Sequence, residues 1–188
     1  MVKRLTTLAT VAVAAASLFC ATPARTEIQK FLIQCEGKLC PFFRASVTVP
    51  DGWVEDKEAT NYFKAVFMLP SGMSFDAAPA KIYAIAVSNR EKKPISVFLP
   101  DMVKDLKSRS KGAKVTRLDD LPRPGKPAFV RHQFEAPRLK EQGFELQAAT
   151  TDSDNDGNEF IVTITVSANS REALKKAEPA YQAILEKY

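Results

Sequence analysis

A β-hairpin near the C-terminal end constrains the fold of this chain more than any other feature. Apolar and polar side chains largely alternate in residues 144–148 and again in residues 160–167, so each limb can bury one face. Between the limbs, Asp156-Gly157 is typical of a tight turn, because glycine accepts the positive φ that such turns need. The second limb leads directly into residues 169–188, which have the spacing of an amphipathic helix. The sequence therefore predicts an antiparallel sheet with a helix attached to its last strand.

The predicted terminal helix carries its own start signal. Asn169 is the expected N-cap, and Glu172 stands three positions later as in a capping box. Pro179 removes one backbone hydrogen bond and is expected to kink the helix. The expected buried stripe consists of Leu174, Ala177, Tyr181, Ile184 and Leu185.

Three segments before the hairpin have strand character, namely residues 43–49, 62–69 and 81–88. The third is apolar on both faces, which predicts a central position in the sheet. Pro50-Asp51-Gly52 ends the first segment in a tight turn. We expect Trp53, which follows this turn, to fold over the end of the core, the commoner role for a lone tryptophan.

The middle of the chain predicts a helix and further strands. Residues 97–111 have the apolar spacing of a surface helix, and residues 115–118 and 128–135 are expected strands. Residues 121–127 contain three prolines and a glycine, which predicts a loop. His132, the only histidine, lies on the apolar face of its strand, where a core role is commoner than a catalytic one.

Residues 1–24 have the pattern of a secretory signal peptide. Two basic residues precede the apolar run 5–19, which is too short to span a bilayer, and Thr22-Pro23-Ala24 offers small side chains for cleavage. Cys20 is a poor match to a lipoprotein signal, because a bulky phenylalanine precedes it. We expect a mature protein that begins near Arg25, without a transmembrane helix, in the periplasm or outside the cell.

Cys35 and Cys40 remain after removal of the leader. An even number of cysteines in an exported protein favours a structural disulfide. Their spacing differs from that of C-x-x-C redox sites, and the neighbouring sequence offers no further zinc ligands. We therefore expect an N-terminal segment, residues 25–42, with a Cys35–Cys40 loop, followed by a single domain over residues 43–188.

Composition and motifs weigh against several functions. The net charge of +5 falls to +3 without the two basic residues of the leader, and the remaining cations are scattered among acids. This pattern gives no support to nucleic-acid binding. The chain lacks a Gly-x-Ser-x-Gly elbow, a His-Glu-x-x-His motif and a phosphate-binding loop. A non-catalytic function is therefore expected, and a hydrolase with an unrecognised site is the second alternative.

The acidic hairpin tip suggests a calcium site as the first alternative. Asp152, Asp154 and Asp156, followed by a glycine, match the first half of an EF-hand-type loop. The second half does not match, because Thr163 stands where a bidentate glutamate is needed. A partial site would use the three aspartates, the Asn158 carbonyl and water, with an affinity of roughly 0.1 to 1 mM. The competing interpretation is a solvated turn. Apart from this weak calcium site, we expect no cofactor.

The order of elements is similar to a known fold. Residues 44–53, Arg-Ala-Ser-Val-Thr-Val-Pro-Asp-Gly-Trp, resemble the strand, proline, turn and Gly-Trp opening of the Mog1/PsbP-like fold, which includes DcrB-like and LpqN-like exported bacterial proteins. The last strand passing into the terminal helix, residues 160–188, is similar to its end. The resemblance implies an α+β fold of α/β/α sandwich type, with an antiparallel sheet of about six or seven strands flanked by helices. It also implies an accessory, assembly or binding function.

Two connections are candidates for a recognition surface. Met73 and Phe75 lie in the connection 73–79, and Arg123 and Lys126 lie in the predicted loop 121–127. The resemblance implies a function through protein contacts, so the expected partner is a protein of the cell envelope. The main expectation is thus an exported accessory, binding or assembly protein.

Overall fold

The computed structural model describes residues 28–35, 37–139 and 141–188. These residues form a seven-stranded antiparallel sheet in the order β3-β4-β5-β9-β8-β7-β6 and a separate two-stranded sheet, β1-β2. The predicted hairpin forms β8 and β9 in the interior of the large sheet, and the predicted α+β class is confirmed. The strands are β1 (Ile28–Cys35), β2 (Lys38–Ala45), β3 (Trp53–Glu55), β4 (Val66–Pro70), β5 (Ala80–Ser88), β6 (Lys114–Arg123), β7 (Lys126–Glu135), β8 (Phe144–Ser153) and β9 (Glu159–Ala168), and the helices are α1 (Lys57–Phe63), α2 (Ile95–Ser108) and α3 (Arg171–Lys187).

Helices cover both faces of the sheet. On one face, α3 packs on β5, β8 and β9, and all five residues of its expected stripe are buried. Ile28 and Ala45, at the base of the β1-β2 hairpin, join the same core, and Trp53 packs against it as predicted. On the other face, α1 lies near β4, and α2 lies over β6 and β8.

The predicted strand 62–69 is wrong over its first four residues, because α1 ends at Phe63 and β4 begins only at Val66. Asp56 Oδ1 accepts a hydrogen bond from the Ala59 amide at 3.0 Å, which starts the helix. Lys64, with φ of 55°, ends it in the left-handed conformation. The predicted strand 43–49 also differs, because β2 ends at Ala45. Segment 81–88 is confirmed as β5, which lies between β4 and β9.

The predicted loop 121–127 is instead the tip of the β6-β7 hairpin. Pro122 lies within β6, which is an edge strand of the sheet. An edge strand tolerates proline, because one side of its backbone has no strand to bond. The pairing register also shifts between Leu118 and Arg123, as expected where proline interrupts a ladder. Gly125, with φ of 70°, makes the turn.

The terminal helix begins one residue later than expected. Ser170 is the N-cap, and its Oγ accepts a hydrogen bond from the Ala173 amide at 3.1 Å, so the assignment of Asn169 as the cap is wrong. The helix continues past Pro179 to Lys187. The predicted helix 97–111 is observed as α2, which begins two residues earlier and ends three residues earlier than expected.

Several predictions concern the N-terminal part of the chain. The signal peptide and Cys20 lie outside the described residues. Cys40 is disulfide-bonded, but the side chain of Cys35 also lies outside the description, so the Cys35–Cys40 pairing stays a prediction. No helix in the described part of the chain is long and apolar enough to cross a membrane.

Candidate functional site

Four aromatic side chains form a connected group beside one edge of the sheet, which we call the aromatic surface: Tyr62, Phe63, Phe67 and Phe75. Phe63 lies at its centre, with ring centroids 4.8 Å from Tyr62, 5.2 Å from Phe67 and 5.7 Å from Phe75. Tyr62 and Phe63 are 78% and 52% exposed. Such a group of exposed rings is unusual on a soluble domain and often marks a binding site.

The local sequence explains why these rings meet. Tyr62 and Phe63 occupy the last turn of α1, and the left-handed Lys64 reverses the chain into β4. Thr60 Oγ1 accepts a hydrogen bond from the Phe67 amide at 3.0 Å, which ties α1 to that strand. The end of α1 is therefore held against β4, so the backbone that carries the two exposed rings has a defined position.

Two further apolar side chains near this edge are exposed. Val54 pairs with Leu69, two positions from Phe67, and so projects on the same face of the sheet. It is 45% exposed, as is Met73 in the connection that carries Phe75. The Lys81 ammonium lies 4.6 Å from the centre of the Phe75 ring, a favourable cation–π distance. The surface thus combines exposed rings with a positive charge.

A row of polar side chains crosses the sheet behind the aromatic surface. Tyr83 stacks on Phe67 with centroids 5.2 Å apart, and it begins the row. The row continues through cross-strand partners on β9, β8 and β7, which are the buried Thr165, Gln147 and His132. It ends at Arg117 on β6, at the far edge of the sheet. Burial and the nearby Glu145 carboxylate raise the pKa of Tyr83 to about 12, so its hydroxyl stays protonated at neutral pH.

Glu145 is the fully buried acid of this face. Arg109 Nη1 donates to its two carboxylate oxygens at 3.3 and 3.2 Å, and Ser167 Oγ donates to Oε1 at 3.1 Å. Burial raises the pKa of Glu145, although the Arg109 guanidinium acts in the opposite direction. Both carboxylate oxygens of Glu145 are thus hydrogen-bonded to internal partners, as in a structural ion pair.

His132 is buried, as its sequence pattern predicts. It is 5% exposed, and its Nδ1 makes no hydrogen bond within the described part of the chain. Burial and the Arg117 guanidinium lower the pKa of His132, so the imidazole is neutral at pH 7. A general base must reach the proton it removes, and this buried ring is poorly placed to do so.

The acidic hairpin tip has the geometry of a turn. Asp154 Oδ1 accepts from the amides of Asp156 and Asn158 at 3.0 and 2.9 Å, and its Oδ2 accepts from Asn158 Nδ2 at 2.9 Å. Asp152 is bonded instead to Arg123 at 2.8 Å. Over residues 28–35, 37–139 and 141–188, the structure gathers no group of three or more acidic, histidine or cysteine side chains able to hold a metal. The Asp154 carboxylate thus closes the turn, and the calcium site stays a prediction.

Arg123 and Lys126 do not join Met73 and Phe75 in one surface. They lie at the β6 edge of the sheet, whereas Phe75 lies near the β3-β4 edge. The Arg123 side chain is 4% exposed, with the Phe129 and Tyr188 rings 4.9 and 5.1 Å away. Contrary to the expectation of a surface role, Arg123 is an internal residue.

Sequence reasoning identified Phe75 but missed Tyr62 and Phe63, because it assigned them to a strand. The available signal was Asp56, an N-cap residue placed one position before α1. The Arg109–Glu145 pair was also missed. Thirty-six positions separate the two residues, so only the three-dimensional packing brings them together.

Neither a protein-family model nor a curated protein matches this sequence. Among solved structures, the chain is similar to the Saccharomyces cerevisiae Ran-binding protein Mog1p, with 13% identity, a TM-score of 0.43, and coverage of 85% of this chain and 90% of that chain. It is also similar to a mutant of the protein Mog1, with 14% identity, a TM-score of 0.44, and coverage of 85% and 89%. Both are similarities of structure at low sequence identity.

Proposed function

We propose that this chain is an exported, non-catalytic binding protein that contacts a protein partner in the cell envelope through the aromatic surface. The observation that carries the proposal is the exposure of Tyr62 and Phe63 on a fixed scaffold. The signal-peptide pattern of residues 1–24 supports an encounter outside the cytoplasm. This location remains part of the proposal.

The chemistry of the aromatic surface supports a protein partner. Aromatic side chains are enriched among the residues that dominate binding energy at protein interfaces. Each can bury about 150–250 Å², and the contacts of Phe63 with Phe67 and Phe75 hold its ring in place before binding. A fixed ring loses little conformational entropy when a partner covers it.

The polar groups give less support to catalysis. Glu145 is engaged by Arg109 and Ser167, and His132 is buried and neutral. A catalytic group needs access to its substrate. The binding interpretation therefore needs fewer additional assumptions than the hydrolase alternative.

Copurification from cells tests the proposal. The protein, produced with its own leader, would be compared with a Tyr62→Ser/Phe63→Ser variant and with a control, Val87→Ser/Val97→Ser. The control removes apolar side chains that are 58% and 50% exposed elsewhere. We expect an envelope protein to copurify with the wild type and the control and to be lost with the first variant.

Thermal unfolding would accompany this comparison. Exposed substitutions usually change stability by no more than about 0.5 kcal/mol, and all three proteins should therefore remain folded. Equal recovery of the partner by both double variants would contradict the proposal, as would recovery of the protein from the cytoplasm without removal of its leader.

A further inference from the structure

The β1-β2 hairpin is buried at its base and exposed farther out. Ile28 and Ala45, which pair at the base, are 2% and 0% exposed and belong to the main core. Beyond the base, Leu32 is 64% exposed and Leu39 is 71% exposed. Two strands alone form a sheet of marginal stability in water, so the outer part of this hairpin would gain stability from a further strand.

One edge of β1 has no neighbouring strand in the described part of the chain, because β1 pairs with β2 alone. Leu32 lies opposite Pro41, which has no N–H to donate. Opposite residues in an antiparallel ladder either exchange both backbone hydrogen bonds or point these groups away from each other. The N–H and C=O of Leu32 therefore point to the free edge, as do those of Lys30 and Gln34, which stand two positions away.

The other strand edges carry features that oppose pairing with another chain. Strand β6 has five charged residues among its ten, contains Pro122 and shifts its register. Strand β3 has only three residues, and β2 contains Pro41 and Arg44. Charges, prolines, register irregularities and short strands commonly protect exposed edges. By contrast, β1 has one charged residue among its eight and no proline, so its edge lacks this protection.

A second copy of β1 is well suited to this edge. Its strand is already formed by pairing with β2, so it loses less conformational entropy on binding than a flexible peptide does. Antiparallel pairing of two β1 strands about a twofold axis covers both free edges at once. The assembly then closes as a dimer and leaves no β1 edge for further growth.

The sequence of β1 favours a register centred on Leu32. In this register the two Leu32 residues lie opposite each other, and Lys30 lies opposite Gln34 of the second copy. A register centred on Lys30 would place two ammonium groups opposite each other, which is destabilising. Because the Leu32 backbone groups point to the free edge, the two copies of this residue can exchange both of their hydrogen bonds.

We propose that β1 pairs antiparallel with β1 of a second copy of this chain. The pairing makes a continuous four-stranded sheet in the order β2-β1-β1-β2, with a twofold axis at Leu32. The two exposed Leu32 side chains then lie side by side on one face of that sheet. These residues are separate from the aromatic surface, so the pairing stands whether or not that surface binds a partner.

Size-exclusion chromatography with light scattering tests the pairing on the exported protein. We expect the wild type to have twice the mass of one chain and to dissociate on dilution. Leu32→Lys should have the mass of one chain, because it places like charges opposite each other at the axis. The matched control, Leu39→Lys, introduces the same charge at an equally exposed position on β2, one strand away from the free edge, and should remain dimeric.

Cysteine crosslinking tests the register and keeps the test decisive if Leu32→Lys folds poorly. The Cα atoms of a hydrogen-bonded antiparallel pair lie about 5.5 Å apart, within the range that a disulfide spans. Under mild oxidation, Leu32→Cys should therefore give a covalent dimer, whereas Leu39→Cys should not.

A wild type that keeps the mass of one chain at millimolar concentration would overturn the pairing. So would a folded Leu32→Lys variant that remains dimeric, an equal loss of the dimer in both lysine variants, or equal crosslinking at positions 32 and 39.

Discussion

Replacing Arg123 by glutamine should destabilise the protein strongly, because this residue is internal. Its guanidinium bonds Asp152 at 2.8 Å and Thr150 Oγ1 at 3.0 Å, and it lies between the Phe129 and Tyr188 rings. Removing one partner of a buried ion pair costs about 3–5 kcal/mol. Asp152 is 15% exposed and keeps some contact with water, so we expect the lower end, about 3 kcal/mol.

For a protein of this size, each kcal/mol changes the melting temperature by about 2–4 °C, so Arg123→Gln should lower it by about 6–12 °C. Arg171→Gln is the control, because Arg171 pairs with Glu135 at 2.8 Å but is 70% exposed. An exposed pair contributes about 0–1 kcal/mol, and the control should therefore shift the midpoint by less than about 4 °C. Thermal unfolding monitored by circular dichroism measures both. Similar small shifts in the two variants would refute the internal role of Arg123.

Three further substitutions test local features of the structure. Asp154→Ala should lower the melting temperature equally in EDTA and in millimolar calcium, because the Asp154 carboxylate closes the hairpin turn. If calcium stabilised the wild type but not the variant, the calcium interpretation would be restored. Asp56→Ala should cost about 1 kcal/mol in chemical unfolding by removing the N-cap of α1, and an unchanged unfolding free energy would contradict that capping bond. Ser170→Ala should destabilise α3 by a similar amount while Asn169→Ala should not, and the reverse order would show that the cap is misassigned.

Local patterns were sufficient for the interior of the sheet. Alternation in residues 144–148 and 160–167 reflects which side chains face the core, and this preference acts within each strand. The stripe of α3 was predictable for the same reason, because helical spacing alone places its apolar residues on one side. These elements form the main core, so the α+β class followed from them.

Edges and caps were harder to predict. Pro122 disfavours a strand in general, and only its place in an edge strand makes it acceptable. Likewise, the largely apolar run 62–69 was compatible with a strand, but Asp56 and Lys64 set the boundaries of a short helix. Position in the sheet and single capping residues decided these cases, and neither is visible in hydrophobic periodicity.

The candidate site depended on contacts between distant parts of the chain. Phe75 was recognisable as an apolar residue in a connection, but its neighbours Phe63 and Phe67 come from α1 and β4. Arg123 was mistaken for a surface residue, because a basic residue in a proline-rich segment is usually exposed. Its burial follows from the packing of Phe129 and Tyr188 around it.

The most direct test of the central claim is site-specific photo-crosslinking in intact cells, with a photoreactive amino acid at Tyr62 or, as a control, at Val97. Both positions are exposed, at 78% and 50%, but only Tyr62 belongs to the aromatic surface. We predict a discrete crosslinked protein from position 62 that is absent from position 97 and disappears when Phe63→Ser is added. The absence of a crosslink at position 62, or the same crosslinked species from both positions, would contradict the account.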